Sequence, residues 1–115
     1  MKENIIQNKS FDFAVKIIEL YKELQAERHY DLGRQLLRSG TSIGANIEEA
    51  IGGYSKRDFK AKLSISYKEA RETKYWLRLL FKTDILKEKT YKILIKDIEE
   101  ILRILAAILK NTKLD

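Results

Sequence analysis

The sequence predicts an all-α protein, an antiparallel up-and-down four-helix bundle. Apolar residues recur at helical spacing in four segments, the chain contains no proline, and no stretch alternates polar and apolar residues as a strand would. Short connections between the segments favour antiparallel neighbours. At 115 residues the chain is long enough to bury one core. We therefore predict a single four-helix-bundle domain over residues 1–115.

The first helix is predicted at residues 11–27 and the second from about Asp31 to Gly52-Gly53. Ser10 is the expected N-cap of the first helix, because its hydroxyl can accept a hydrogen bond from a free backbone N–H of the first turn. The paired glycines after the second helix are typical of a C-terminal stop. Both segments carry one apolar face, as a bundle requires.

The third helix is predicted from its N-cap, Ser55, to about Lys82, and the fourth from about Glu88 to Asn111. Asp58 stands where a capping box usually has glutamate. The fourth segment has a broad apolar stripe and a polar face opposite to it. Both segments are therefore predicted to pack one face into the same core.

Small residues dominate the stretch "RSGTSIGANIEEA" at 38–50. The helical phase continues through it, and Gly33, Gly40 and Gly44 fall within roughly 40° of each other around the helix. Each internal glycine costs about 1 kcal/mol relative to alanine, a cost that close packing against a neighbouring helix can offset. We predict a helix-packing seam here, with Asn46 hydrogen-bonding across it.

The third helix has a second apolar sector, more than roughly 90° from its core-facing residues. It consists of Ala61, Ile65, Trp76 and Leu79. Two interpretations remain open: the sector packs under the N-terminal arm or the first helix, or it forms a subunit interface. We favour the subunit interface, because tryptophan on a surplus apolar face suits a contact anchor.

The positive charge is concentrated in one part of the chain. The net charge is +6, and residues 56–96 alone hold 13 basic and 5 acidic side chains. Seven of these cations lie within roughly 100° on the third helix, and we call them the basic stripe: Lys56, Arg57, Lys60, Arg71, Lys74, Arg78 and Lys82. The acidic residues of this helix lie elsewhere around it.

Three interpretations of the basic stripe remain open: contact with nucleic-acid phosphates, contact with another acidic partner, or a solvated surface. Phosphate contacts would be salt-sensitive and weak in sequence preference. Tyr67 and Tyr75 flank the stripe, where they could stack on unpaired bases or serve as packing residues. We favour contact with nucleic acid, either RNA or DNA.

Catalytic chemistry finds no support in the sequence. There is no cysteine and one histidine, His29, so a zinc ligand set is lacking. Ser39 and Thr41 have no nearby base to activate a nucleophile. Gly40 and Gly44 match neither a Walker A loop nor a dinucleotide turn. We predict no catalytic residues, metal, cofactor or small-molecule substrate.

A membrane location also finds no support. No run of about 18 apolar residues is present, and the polar N-terminus does not resemble a signal peptide. The expected location is the cytoplasm.

The joint pattern of motifs resembles a known family. The matching residues are Ser42-Ile43-Gly44-Ala45-Asn46-Ile47, Glu49-Ala50, Ser55, Asp58-Phe59 and the run from Lys68-Glu69-Ala70 to Trp76-Leu77. On these residues the chain resembles the four-helix-bundle proteins encoded in intervening sequences of bacterial 23S ribosomal RNA genes, a ribosomal-protein-like family. The accessory proteins of diversity-generating retroelements are a related, more basic group.

The resemblance implies an antiparallel four-helix bundle that assembles into a ring, with five subunits expected. In the related group, a basic surface engages nucleic acid and a reverse transcriptase. Our expectation is a non-enzymatic, ring-forming bundle that binds nucleic acid, RNA in preference, through the basic stripe. The alternative is an oligomeric protein-interaction scaffold without nucleic-acid activity.

Overall fold

Four helices make up the computed structural model, which describes residues 2–113, with side chains from residue 5 onward. They are α1 (Lys2–Ala26), α2 (Tyr30–Ile51), α3 (Lys56–Lys82) and α4 (Glu88–Asn111). This confirms the predicted all-α four-helix bundle. The boundaries of α2, α3 and α4 agree with those predicted from the sequence.

The helices pack as a square in chain order. Each of α1 and α3 lies between α2 and α4, whereas the diagonal pairs make no close backbone contact within residues 2–113. The bundle measures 49 × 20 × 19 Å. Since consecutive helices are antiparallel, α1 and α3 run in the same direction on opposite corners of the square.

All four helices contribute to one apolar core. Its largest fully buried side chains are Ile6, Phe13, Ile17, Leu24, Leu36, Ile43, Ile47, Leu63, Leu77, Leu80, Ile98 and Ile101. Burying a side chain of this size contributes about 1.5–3 kcal/mol. The core therefore extends along the length of the bundle, and the polar faces of the helices remain outside.

The predicted start of the first helix is wrong, because α1 begins at Lys2 and not after Ser10. Ser10 is buried within the helix, and its hydroxyl donates to the carbonyl of Gln7 at 3.0 Å. Ile6, also buried, continues the core-facing phase of Ser10 and Phe13. The burial of this apolar turn extends the helix past a residue that would otherwise cap it.

The connections between helices contain no proline, and the helix ends are closed by backbone conformation and capping hydrogen bonds. Arg28 and Asp84 follow α1 and α3 with φ of 66° and 62°. The N–H of His29 bonds to the carbonyl of Leu24, which closes the helix end as a left-handed cap does. At the start of α3, Ser55 accepts a hydrogen bond from the Asp58 N–H at 3.0 Å, as predicted.

Candidate nucleic-acid interface

The small residues of α2 face α1. A β-carbon on Gly40 would lie 2.8 Å from Cγ2 of Ile17, and one on Gly44 would lie 3.3 Å from Oγ of Ser10. At Gly33 it would lie 3.4 Å from Cβ of Leu24. Side-chain bulk is missing where α1 lies against α2, so these glycines contribute to packing between the two helices.

The expected hydrogen bond from Asn46 across the seam is wrong. Its Nδ2 donates to the carbonyl of Ser42 at 2.8 Å, within the same helix. The hydroxyls of Thr41 and Ser42 likewise donate to backbone carbonyls of α2, each to the carbonyl four residues earlier. The preceding turn offers each short side chain an acceptor at bonding distance, so the bond to the neighbouring helix is not needed.

Buried hydroxyls join α2 to α3. Ser66 donates to the carbonyl of Ile43 at 2.9 Å, and Oγ1 of Thr73 lies 2.9 Å from Oγ of Ser39. Ser39, Ser66 and Thr73 are all fully buried. These contacts fix the rotation of α3, and with it the direction in which the basic stripe points.

Most of the basic stripe is free of intramolecular ion pairs. Lys74 lies 3.2 Å from Oε2 of Glu99 on α4. Within the part of the chain whose side chains are described, the other six members form no ion pair. Lys60 is half-buried, while Arg71 and Arg78 are exposed. The structure thus brings the stripe to the surface beside α4.

Helix α4 adds cations that sequence analysis did not assign to the site. The Lys74–Glu99 contact shows that the Glu99 ridge of α4 lies beside α3, so residues on the same ridge border the stripe. They lie 7 and 3 positions before Glu99 and 4 and 11 positions after it: Lys92, Lys96, Arg103 and Lys110, all exposed. We call the stripe together with these four residues the basic face.

The aromatic residues beside the basic face differ in accessibility. Tyr75 is 55% exposed and packs edge-on against Trp76, with ring centroids 5.1 Å apart. Tyr67 is half-buried against the core. Phe81 and Tyr91 stack at 4.1 Å between centroids where α3 meets α4. Of these five rings, Tyr75 alone presents a largely free surface.

The second apolar sector of α3 remains uncovered by α1, which lies on the opposite corner. The first helix therefore does not pack over it, as one interpretation of the sequence required. Ala61 and Ile65 are exposed, whereas Trp76 and Leu79 are half-buried, with Trp76 packed partly against the core. The sector is a shallow apolar surface on the outside of the bundle.

A polar cluster anchors this sector to α2. Nε1 of Trp76 donates to the Glu72 carboxylate at 2.9 Å, and Arg38 bonds to both Glu69 and Glu72. The Trp76 hydrogen bond, assisted by Arg38, holds the pKa of Glu72 below its ordinary value. The same carboxylate, with Glu69, raises the pKa of Arg38. Both acidic residues are thereby engaged away from the basic face.

No group of three or more histidine, aspartate or glutamate side chains stands ready for a metal within the described residues. None of the described helices has the length and apolar character needed to cross a membrane.

Comparisons with known proteins found similarity to a protein family and to solved structures. The sequence profile of the 23S rRNA-intervening sequence proteins matches residues 2–107. Among curated proteins, none matches this chain. A crystal structure at 1.70 Å of a protein of unknown function from the S23 ribosomal protein family of Bacteroides thetaiotaomicron VPI-5482 superimposes with a TM-score of 0.93. The two sequences are 46% identical, over 96% of this chain and 100% of that one.

Proposed function

Since this chain belongs to the family of 23S rRNA-intervening sequence proteins, we propose that it is a non-enzymatic cytoplasmic bundle that assembles into a ring and binds nucleic acid. RNA is the proposed ligand. The basic face is the contact surface, and it binds phosphates without reading sequence. The apolar sector of α3 is proposed as part of the contact between subunits.

The observation that carries the nucleic-acid proposal is the charge balance of the basic face. Its eleven cations come from two adjacent helices, and Glu88 and Glu99 are the carboxylates paired with them, at 3.4 Å from Lys92 and 3.2 Å from Lys74. A cluster with so little neutralisation attracts polyanions and releases their counterions on contact. Such contacts position the protein on a backbone and carry no sequence preference.

One structural feature and the family resemblance support assembly. Ile65 is 42% exposed within the apolar sector, and Trp76, Leu79 and Ala61 adjoin it. Exposed apolar patches of this kind mark contact surfaces. The family resemblance supplies the five-subunit ring as the expected form.

The test is binding of labelled single-stranded RNA and duplex DNA to the purified protein at about 50 and 200 mM salt, with the mass measured by light scattering. The proposal predicts a ring-sized particle whose affinity falls at least about tenfold between the two salt concentrations. A ring that binds neither ligand at low salt would instead favour the protein-interaction scaffold. A monomer that binds would separate the nucleic-acid proposal from the assembly proposal.

A further inference from the structure

Helix α1 has an apolar stripe that points away from the core. Phe11, Val15 and Ile18 are 66%, 46% and 39% exposed. Their spacing of four and three residues places them in one row. The core-facing residues Phe13 and Ile17 lie on the other side of the same helix. We call this row the α1 outer stripe.

Acidic side chains border the α1 outer stripe on one side. Asp12, Glu19 and Glu23 are spaced seven and four residues apart and are all exposed. Glu19 lies 4.0 Å from Lys22, whereas Asp12 and Glu23 form no ion pair within the described side chains. The α1 outer stripe is therefore an apolar surface with a negative edge, on which Asp12 and Glu23 are unpaired within the described side chains.

Helix α3 has the complementary arrangement. Its apolar sector is bordered on one side by Lys68, Arg71 and Lys82, all exposed. Lys68 stands outside the basic stripe predicted from the sequence. Since α1 and α3 occupy diagonal corners, these two surfaces cannot meet within one copy. They can meet only between copies.

The side of each apolar surface on which the charged residues lie determines whether α1 and α3 of two copies pack parallel or antiparallel. Viewed from the N-terminus, residues of a right-handed helix advance clockwise by about 100° each. The acidic border of α1 lies roughly 90° clockwise of its apolar stripe, and the basic border of α3 lies roughly 80° anticlockwise of its apolar sector. When two such helices face each other, the opposite charges fall on the same side only if the helices are parallel.

Parallel packing distinguishes two kinds of assembly. In the bundle, α1 and α3 run in the same direction. A rotation axis along the bundle keeps that direction for every copy, so α1 of one copy meets α3 of the next in parallel. A twofold axis across the bundle would make the two helices antiparallel and would separate the charges. The charge pattern therefore fits a closed head-to-tail ring.

The relative positions of α1 and α3 along the bundle axis determine which of their residues can meet in a contact between copies. Ser10 lies beside Gly44, and Ser66 bonds to the neighbouring Ile43, so positions 10 and 66 are level. In the same way Ile17 adjoins Gly40 while Thr73 adjoins Ser39, so positions 17 and 73 are level. A closed ring has no rise between copies. Its contact would therefore pair residues of equal height.

The geometry points to an α1–α3 contact between copies, in which the α1 outer stripe packs on the apolar sector of α3 in a second copy. Asp12 is level with Lys68, whereas Arg71 and Lys82 lie about 6 and 4.5 Å along the helix from the levels of Glu19 and Glu23, within reach of these long side chains. The inference rests on the proposed assembly and adds the surface that completes it. It leaves Lys60, Lys74, Arg78 and the α4 cations of the basic face outside the contact.

Cross-linking tests this contact cleanly because the chain has no cysteine. Asp12→Cys with Lys68→Cys, treated with a short bismaleimide, should give a ladder of covalent oligomers that ends at the mass of the ring. Asp12→Cys with Arg57→Cys is the register control, since Arg57 lies about 16 Å lower on α3. It should remain monomeric on a denaturing gel, as should each single variant.

The outcomes separate this inference from the proposed assembly. A ring detected by light scattering, without cross-links in the Asp12/Lys68 variant, overturns the contact and leaves the assembly standing. Cross-linking of Asp12→Cys alone would place α1 against α1 and also overturns the contact. A monomer at all concentrations overturns both. As a second readout, Asp12→Lys should lower the mass, and Asp12→Lys with Lys68→Asp should restore it.

Discussion

Ile17 of α1 occupies the space in which Gly40 of α2 would carry a β-carbon. That atom would lie 2.8 Å from Cγ2 and 2.9 Å from Cγ1 of Ile17, which is itself fully buried. At Gly44 the nearest contact would be Oγ of Ser10 at 3.3 Å. Gly40 therefore tolerates no added atom without movement of the core, whereas Gly44 has slightly more room.

Gly40→Ala should lower the free energy of unfolding by about 1–2 kcal/mol, because overpacking costs more than the helix propensity of alanine returns. Gly44→Ala should change it by less than about 1 kcal/mol, while Gly44→Leu should disrupt folding or assembly. Urea denaturation measures these differences. In an Ile17→Ala background, Gly40→Ala should become neutral or stabilising. An equal loss in both backgrounds would contradict the contact.

The contact between the buried hydroxyls of Ser39 on α2 and Thr73 on α3 should contribute to the free energy of unfolding. Thr73→Val should cost about 1–2 kcal/mol, because it removes a partner from the buried hydroxyl of Ser39. Ser39→Ala combined with Thr73→Val should recover much of that loss, since no buried polar group is then left without its partner. Additive losses in the double variant, measured by urea denaturation, would show that the hydroxyls do not interact.

The lowered pKa of Glu72 should make the free energy of unfolding depend on pH. Its pKa is lowered in the folded protein, first by the Trp76 hydrogen bond and then by Arg38. Its contribution to stability is therefore complete above its ordinary pKa of 4.5 and is lost as the pH falls through the lowered value. The stability difference between wild type and Glu72→Gln should shrink as the pH falls from about 6 to about 3.

Trp76→Phe is the matched variant for this prediction. It keeps an aromatic ring at the position but removes the N–H that lowers the pKa of Glu72. Its pH dependence should lie between those of wild type and Glu72→Gln. A difference between wild type and Glu72→Gln that stays constant over this pH range would contradict the role assigned to the carboxylate.

Arg28 and Asp84 adopt a left-handed backbone conformation, so we expect glycine at these positions to stabilise the fold. Arg28, with φ of 66°, should favour glycine, so Arg28→Gly should raise the free energy of unfolding by about 0.5–1 kcal/mol. Asp84→Gly should gain less, because aspartate tolerates this conformation better than arginine does. Thermal denaturation of both variants provides the comparison, and a loss of stability in Arg28→Gly would contradict the assignment.

Most of the fold could be predicted from the sequence because apolar spacing marks all four helices, and cap residues mark the end of α2 at Gly52 and the start of α3 at Ser55. Ser55 directly precedes the helically spaced apolar residues of α3, and the structure confirms it as the N-cap of this helix. Ser10 offers the same local signal within α1, where burial of Ile6 extends the helix beyond it. A local cap motif cannot indicate whether the residues before it will be buried.

The candidate site was only partly predictable. The basic stripe is visible on one helix, but Lys96 and Arg103 join it only because the burial of Leu94, Ile98 and Ile101 leaves their ridge of α4 beside α3, as the Lys74–Glu99 contact shows. The α1 outer stripe was missed for a related reason. Phe11 and Val15 lie among the core residues in sequence, and only the packing of α1 shows that they face outward.

The most direct test of the central claim compares two variants of equal charge change. Lys60→Glu with Arg78→Glu reverses two cations of the basic face, and Arg28→Glu with Arg34→Glu reverses two exposed cations elsewhere. At about 50 mM salt, the first variant should bind single-stranded RNA at least about tenfold more weakly than the second, with both assembled as the wild type is. Equal affinities for the two variants would contradict a nucleic-acid interface on the basic face.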